Sequence, residues 1–417
     1  MSVIQVMGAE PLAGEIWVQG SKNAVLPVMA AAILHSGVSV IENVPKIQDV
    51  TCMMGILSSL GCEVTLEGRT LRINAAKLSG YEIERKDMGQ MRSSMMLVGP
   101  LLARFGRAVA FAPGGCSIGK RPVDLHLSAL RCLGARVVEM DGRMEFEAEG
   151  LEGGNISFPY PSVGATENAV MAAVFAKGRT RILGCAREPE IVELCRFLRH
   201  MGARIFGEGT SLIEIEGGGK FRDTQYRIAG DRIVAGSYLA AVLCTGGEIC
   251  VRGVEAGQLQ AVLAVLEQLG AKIFALPDGV ALAMKGRPRG SLFVKTAPYP
   301  AFPTDMQSLL LAVFARAEGE NRIEETVFEG RFQAARELKK FGAYIQIEGN
   351  CVTVRGRARL RGAVVEAPDL RGGAALVLAA LAAEGRSEIH AYEHIARGYA
   401  SICEDLQGLG AKIRLSE

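Results

Sequence analysis

Neither sign of charge is in excess in this sequence: 47 Lys and Arg stand against 45 Asp and Glu, a formal +2. That balance excludes a nucleic-acid binder working through bulk charge, and it excludes an acidic tail. No Cys-x-x-Cys pair occurs among the ten cysteines, at 52, 62, 116, 132, 185, 195, 244, 250, 351 and 403. The spacing supports neither a zinc site nor a disulfide framework, and the scatter fits a reducing compartment. Aromatic residues make up only 6%. No apolar run reaches ~18–20 residues without glycine or charge, so no transmembrane helix is expected. The first twenty residues lack a basic stretch followed by an apolar one, so no signal peptide is expected either. The expectation is a cytoplasmic protein with no membrane association. What is present is length and apolar content, 417 residues at 49% hydrophobic, enough for two to four domains with sizeable cores. The 50 glycines are spread along the chain, which signals many turns and not low complexity.

A short phrase recurs six times, each time closing an amphipathic helix pattern: Leu60-Gly61-Cys62-Glu63-Val64, Leu133-Gly134-Ala135-Arg136-Val137, Met201-Gly202-Ala203-Arg204-Ile205, Leu269-Gly270-Ala271-Lys272-Ile273, Phe341-Gly342-Ala343-Tyr344-Ile345 and Leu409-Gly410-Ala411-Lys412-Ile413. The glycines are 73, 68, 68, 72 and 68 residues apart. Glycine after the last apolar helical residue fits a left-handed C-cap, and the alternation that follows fits a strand entering a sheet. Each unit also holds a second helix that is apolar on nearly every face: 23–34, 93–103, 167–176, 235–244, 305–315 and 372–383. A helix without a polar face is buried. The reading is an α/β protein of six repeated units, with inner helices packed together and sheets outside. Because a single core rarely grows past ~250–300 residues, three units per domain is the economical arrangement.

The heads of the inner helices carry a polar series at the same period: Lys22-Asn23, Arg92, Thr166, Arg232, Asp305 and Arg371. Equivalent positions in equivalent units point the same way, so each domain would present three helix N-termini on one face. Two such faces across a cleft would bind anions through unpaired N–H donors. Ordinary capping explains any single position. Arg and Lys are poor N-caps, however, so their recurrence favours function.

Residues 111–122 read as a mobile loop, with Gly114, Gly115, Pro113 and Pro122 excluding helix or central strand. Gly119-Lys120-Arg121 places cationic charge beside Cys116, which lowers a thiol pKa and raises its reactivity. The other nine cysteines read as packing. Asp305 follows the Pro-rich stretch 297–303 and heads an inner helix. It is either a cap or a general base positioned near a substrate hydroxyl.

Several segments in collinear order resemble the UDP-N-acetylglucosamine enolpyruvyl transferase family: Ser21-Lys22-Asn23-Ala24, Pro113-Gly114-Gly115-Cys116-Ser117-Ile118-Gly119, Arg121-Pro122-Val123-Asp124-Leu125-His126 and Ser162-Val163-Gly164-Ala165-Thr166. Ala186-Arg187-Glu188-Pro189-Glu190, Phe302-Pro303-Thr304-Asp305-Met306-Gln307 and Arg397-Gly398-Tyr399 extend the resemblance over essentially the whole chain. It implies a two-domain inside-out α/β barrel with three repeats per domain. Residues 22–229 would form one domain, residues 1–21 with 230–417 the other, and the active site would lie in the cleft between them. The chain would cross twice, near Gly20-Ser21 and Ala229-Gly230.

The resemblance further implies transfer of the enolpyruvyl group of phosphoenolpyruvate (PEP) to the 3′-hydroxyl of UDP-N-acetylglucosamine, with release of phosphate. The route is addition–elimination through a tetrahedral ketal, without metal or organic cofactor and without an obligate protein partner. Cys116 matches the general acid toward the PEP methylene and the residue alkylated by fosfomycin. Asp305 matches the carboxylate that takes the sugar hydroxyl proton. Lys22, Arg121 and Arg397 match the clamp on PEP phosphate and carboxylate, with Asn23 beside them, and Arg92 matches a residue of the substrate cleft. Arg121, Pro122, Val123, Asp124, Leu125, Tyr160, Pro161, Ser162, Val163, Asp305 and Val327 match the UDP-sugar contacts. Arg331, Asp369 and Arg371 match polar residues lining the cleft. These types suit the chemistry, since a doubly anionic substrate needs several cationic donors and Arg supplies them in bidentate geometry.

One departure stands out. Tyr160-Pro161 occupies a place where some relatives have Lys-Val, which puts a charge contact to the UDP phosphates in doubt. The sister family, 5-enolpyruvylshikimate-3-phosphate synthase, shares the fold but lacks the Pro-Gly-Gly-Cys run. A catalytically silent UDP-sugar-binding paralogue is opposed by the joint presence of Cys116, Asp305, Lys22 and Arg397. A clamp-like ring of α/β repeats is opposed by the near-neutral charge.

Overall fold

The computed structural model describes residues 2–85, 92–111 and 123–416. These fall in two compact units, one within 20–229 and the other made of 2–19 with 230–416.

In the unit within 20–229, three inner helices recur: α1 (Lys22–Ala31), α2 (Val98–Phe105, entered through a 3-10 turn Arg92–Leu97) and α3 (Val163–Ala173). All of α1 except Asn23 is buried, as is α3 from Ala165 to Ala173. Each inner helix leads into a strand, then a surface helix (Gln48–Ser59, Asp124–Cys132, Pro189–Met201), then a hairpin. In the first sheet Val38–Glu42 and Glu63–Glu67 both pair antiparallel with Thr70–Asn74. The strand Thr224–Arg227 then returns to lie parallel to Val38–Glu42, so the last strand of the unit completes its first sheet. Alternation sets the faces: Ser39, Ile41, Leu71 and Ile73 point inward while their neighbours face out.

The other unit repeats the plan with α4 (Arg232–Thr245), α5 (Gln307–Arg316) and α6 (Leu370–Ala382), which pack on one another in a single apolar cluster. Arg371 to Ala382 is buried without interruption, and small residues such as Ala375, Ala379 and Ala380 let the helices approach closely. Two N-terminal strands complete its sheets. Strand β1 (Val3–Met7) lies between Arg386–His390 and Lys412–Ser416, antiparallel to both. Strand β2 (Leu12–Trp17) runs parallel to Gly247–Arg252. In the sixth repeat β1 therefore takes the place that the returning hairpin strand fills elsewhere.

The six glycines of the recurring phrase, Gly61, Gly134, Gly202, Gly270, Gly342 and Gly410, all have φ between 92° and 118°. Each ends a surface helix in the left-handed conformation, which a Cβ would disfavour.

Where the chain leaves one unit for the other, Asp231 N donates to Gln19 O at 2.9 Å and Ser21 N donates to Ala229 O at 2.9 Å. Gly20 and Gly230 sit in these stretches for want of space. A Cβ on Gly20 would lie 1.8 Å from Asn43 O, and one on Gly230 would lie 2.0 Å from Gly253 O.

Candidate functional site

The inner helices of the second unit begin in a common pattern. Asp231 caps α4, its Oδ1 accepting from Ile233 N at 2.9 Å and Val234 N at 3.1 Å. Asp369 caps α6, its Oδ1 accepting from Arg371 N at 3.0 Å and Gly372 N at 2.9 Å. The cap is thus an aspartate, and the cation is the first or second helical residue, Arg232 or Arg371. At the third head, Asp305 sits in a 3-10 turn, Thr304–Met306, that precedes α5. In the other unit α3 begins at Val163, three residues before Thr166, because Ser162 Oγ accepts from Ala165 N at 3.4 Å.

Asp305 is the centre of a charged cluster. Arg331 Nη2 lies 2.5 Å from Asp305 Oδ1, and Arg371 Nη2 lies 3.6 Å from Oδ2. Both guanidinium side chains are only 4% exposed. Each cation also lies over an aromatic ring: Arg331 over Phe328 at 5.4 Å, Arg371 over Tyr399 at 5.6 Å and Arg232 over Tyr299 at 5.5 Å. Burial by itself would push the Asp305 carboxyl up. Arg331 and Arg371, with Arg232 behind them, outweigh it and hold the group far below the usual carboxylate range. Burial likewise pulls Arg371 down, but Tyr399, Asp305 and Asp231 leave it above its ordinary value.

This cluster is not self-satisfied. Arg331 Nε and Nη1, Arg371 Nη1 and Asp369 Oδ2 are buried without a hydrogen-bond partner. Unpaired buried donors on two cations, beside helix N-termini, are the chemistry that receives a carboxylate or phosphate.

Val327 is partly exposed, in the segment that leads to Arg331. Arg397 follows the short helix Tyr392–Ala396, and the backbone after it is held by Gln19, which donates from Nε2 to Gly398 O at 2.9 Å and accepts at Oε1 from Ala400 N at 2.8 Å.

In the unit within 20–229, Ser21 caps α1, which opens with Lys22 and Asn23. Lys22 Nζ lies 2.8 Å from Asp49 Oδ2, with side chains 11% and 6% exposed. Val123 stands at the N-cap position of the helix Asp124–Cys132 without a side-chain capping bond, the helix opens with Asp124 and Leu125, and Tyr160 and Pro161 are exposed just before Ser162. On α3, Glu167 is buried, and burial followed by the charges of Glu190 and Glu188 pushes it well above the usual range. Cys116, Arg121 and Pro122 lie outside the described residues, as does the side chain of Arg92.

The structure therefore brings Asp305, Arg331, Arg371 and Asp369 together at one end of the second unit and sets Lys22 with Asn23 at a helix head of the other. Sequence reading missed four contributors: Asp49, Arg232 as a neighbour of Asp305, Gln19 and the buried Glu325. Arg232 was visible as a helix head. Asp49 and Gln19 carry no pattern, since their partners lie far off in the chain, and Glu325 belongs to no motif, with Thr304 21 positions away.

A family model described as EPSP synthase (3-phosphoshikimate 1-carboxyvinyltransferase) matches residues 6–406. The helices-inside repeats and the match over nearly the whole chain define an EPSP synthase-like α/β fold. Structural likeness agrees: the enolpyruvyl transferase NikO from Streptomyces tendae superposes with a TM-score of 0.89 at 25% identity, over 100% of this chain and 99% of that one. EPSP synthase from Acinetobacter baumannii does so at 0.77 and 20% identity, over 100% of both chains, and speaks for the fold alone.

The chain belongs to the EPSP synthase family and, within it, to the UDP-N-acetylglucosamine 1-carboxyvinyltransferases. A protein of that name from Symbiobacterium thermophilum is 47% identical over 414 residues, covering 98% of this chain and 94% of its own. Another from Caldanaerobacter subterraneus subsp. tengcongensis is 43% identical over 413 residues, covering 99% of each.

Proposed function

We propose that this enzyme transfers the enolpyruvyl group of PEP to the 3′-hydroxyl of UDP-N-acetylglucosamine and releases phosphate, a step of peptidoglycan precursor synthesis. The observation that carries the reading is the 43–47% identity over nearly the full chain with transferases named for that reaction. In the proposed route the sugar oxygen adds to C2 of PEP while C3 gains a proton from Cys116, and Asp305 takes the hydroxyl proton. The tetrahedral adduct then loses phosphate and a C3 proton to give the enol ether. Lys22, Arg121 and Arg397 would grip the PEP anion, and Arg331 and Arg371 would offer their unpaired N–H groups to it.

The geometry adds a condition. A carboxylate held by two buried guanidinium groups is a weak base, so Asp305 needs a ligand anion that draws Arg331 and Arg371 away before it can accept a proton. Binding of the anion would thereby switch on the base. The reading also places the protein in the cytoplasm, with fosfomycin as an inhibitor acting at Cys116. No helix among the described residues is long and apolar enough to cross a membrane.

The test is phosphate release from PEP with and without UDP-N-acetylglucosamine, followed by fosfomycin and intact-mass analysis. Release that requires the sugar nucleotide, stopped by one adduct on the Cys116 peptide, supports the reading. Sugar-nucleotide binding without release would replace it with the silent paralogue.

A further inference from the structure

Glu325 is a buried carboxylate that belongs to none of the roles above. It is 3% exposed and follows the strand Glu320–Glu324. Its Oε2 accepts from Thr304 Oγ1 at 2.9 Å, next to Asp305 in the chain. Its Oε1 accepts from Val327 N at 2.8 Å and Phe328 N at 3.1 Å, at the start of the segment that carries Arg331. A second tie fixes the same segment from behind: Thr326 N donates to Thr296 Oγ1 at 3.0 Å, and Thr326 Oγ1 donates to Thr296 O at 2.6 Å.

These contacts close a circuit. Thr304 leads to Asp305, Asp305 to Arg331, Arg331 to the ring of Phe328 beneath it, Phe328 N to Glu325, and Glu325 back to Thr304. Two short backbone segments, 304–306 and 326–331, are thus locked in register by one carboxylate. A buried carboxylate that accepts three hydrogen bonds holds them strongly, because leaving it unsatisfied is costly.

We propose that Glu325 is the positioning residue for the Asp305–Arg331 pair: it sets how closely the guanidinium sits on the carboxylate, and so how basic Asp305 is. The inference rests on the reading of Asp305 as the base. Asp305 faces Arg331, Arg371 and Arg232, and of these only Arg331 is carried by the segment that Glu325 holds.

The sign of the effect separates positioning from plain charge. Neutralising Glu325 removes a negative charge near Asp305 and would by itself lower the Asp305 pKa further. Releasing Arg331 raises it. Glu325→Gln can keep the circuit, its amide oxygen accepting from Val327 N and Phe328 N while its NH2 donates to the Thr304 hydroxyl. Glu325→Ala cannot.

The experiment follows the Asp305 carboxyl by 13Cγ NMR in the full-length protein and the acid limb of kcat with PEP and UDP-N-acetylglucosamine. Glu325→Ala is expected to move the Asp305 midpoint up by about one pH unit, with Glu325→Gln at or slightly below the wild-type midpoint. Thr304→Val cuts one arm only, keeps the test alive if the alanine variant does not fold, and should give a smaller upward shift. A loss of thermal stability with an unmoved Asp305 midpoint in these variants overturns the proposal, as does a downward shift in both Glu325 variants. The NMR titration needs no turnover, so a fully active Asp305→Asn enzyme would refute the base assignment while leaving the Glu325 result readable.

Discussion

Gln19 and Ala400, 381 positions apart in the chain, are joined by a 2.8 Å hydrogen bond in which the Ala400 amide donates to the Gln19 side chain. The other end of the same side chain holds Gly398 O, so one buried amide fixes the peptide groups on both sides of Tyr399, directly after Arg397. Gln19→Leu fills the space but makes neither bond. The expected outcome is a several-fold rise in KM for PEP, little change in KM for the sugar nucleotide, and faster hydrogen exchange at the Ala400 amide. An unchanged Ala400 exchange rate would show that the bond holds nothing in place.

Asp305→Asn should cost stability as well as turnover. It removes the anion between two guanidinium groups that are themselves buried, and breaking such a cluster costs about 3 kcal/mol. Because the folded-state pKa is depressed, the stabilisation is present above the unfolded carboxylate pKa and is lost as pH falls through the folded one. The gap between wild type and variant in urea melts should therefore be full at pH 7 and persist well into the acid range. Equal midpoints at pH 7 would mean that the pair contributes nothing net.

Asp49 makes a parallel case in the other unit. Asp49→Asn keeps the shape but removes the negative partner of Lys22 Nζ, 2.8 Å away. A loosened ammonium binds an anion less precisely, so KM for PEP should rise at least threefold, about 0.7 kcal/mol. Unaltered PEP kinetics would leave Asp49 a purely structural partner.

Thiol chemistry gives a separate check. Burial pushes Cys62, Cys185 and Cys403 up to about 11 and Cys244 up to about 12, and it raises Cys195 further still. At pH 8 a thiol titrating near 11 is ionised to about one part in a thousand. Alkylation of the native protein at pH 8 should spare these five, and among the described residues the exposed Cys132 should react first. Rapid labelling of Cys195 or Cys244 without denaturant would show that the inner packing opens.

Alanine at Gly20 or Gly230 should displace the stretch that carries it, because the new Cβ would sit 1.8 or 2.0 Å from a backbone oxygen. Both substitutions are expected to cost more than 2 kcal/mol in urea melts, whereas Gly55→Ala, with nothing within 4 Å and inside the helix Gln48–Ser59, should be neutral or stabilising. A stable, fully active Gly230→Ala protein would contradict the packing described.

The repeat was legible because its signals are local. An apolar helix on every face and a glycine after each surface helix can be read within a dozen residues, and both recur at the expected places. Three helix heads were read less well. Thr166 lies inside α3, since Ser162 provides the cap, one residue before Val163 and three before Ala165, whose N–H it accepts, while Arg92 and Asp305 stand in 3-10 turns ahead of α2 and α5. The charged residues were found one at a time. Their pairing was not, because Asp305 meets Arg331 across 26 positions, Lys22 meets Asp49 on a different helix beyond the strand Val38–Glu42, and Glu325 gathers groups from two separate segments. Periodicity says which side a residue faces and is silent on which distant side chain shares that side.

Strand β1 has a consequence for the order of assembly. The unit within 20–229 draws all its strands from one continuous stretch, so it can close as soon as Thr224–Arg227 is available to lie beside Val38–Glu42. The other unit cannot. Among the described residues Val3–Met7 pairs with Arg386–His390 and Lys412–Ser416, so this strand cannot enter its sheet until those distant segments of the chain have been made. Until then its apolar face lacks the sheet that shelters it in the folded unit.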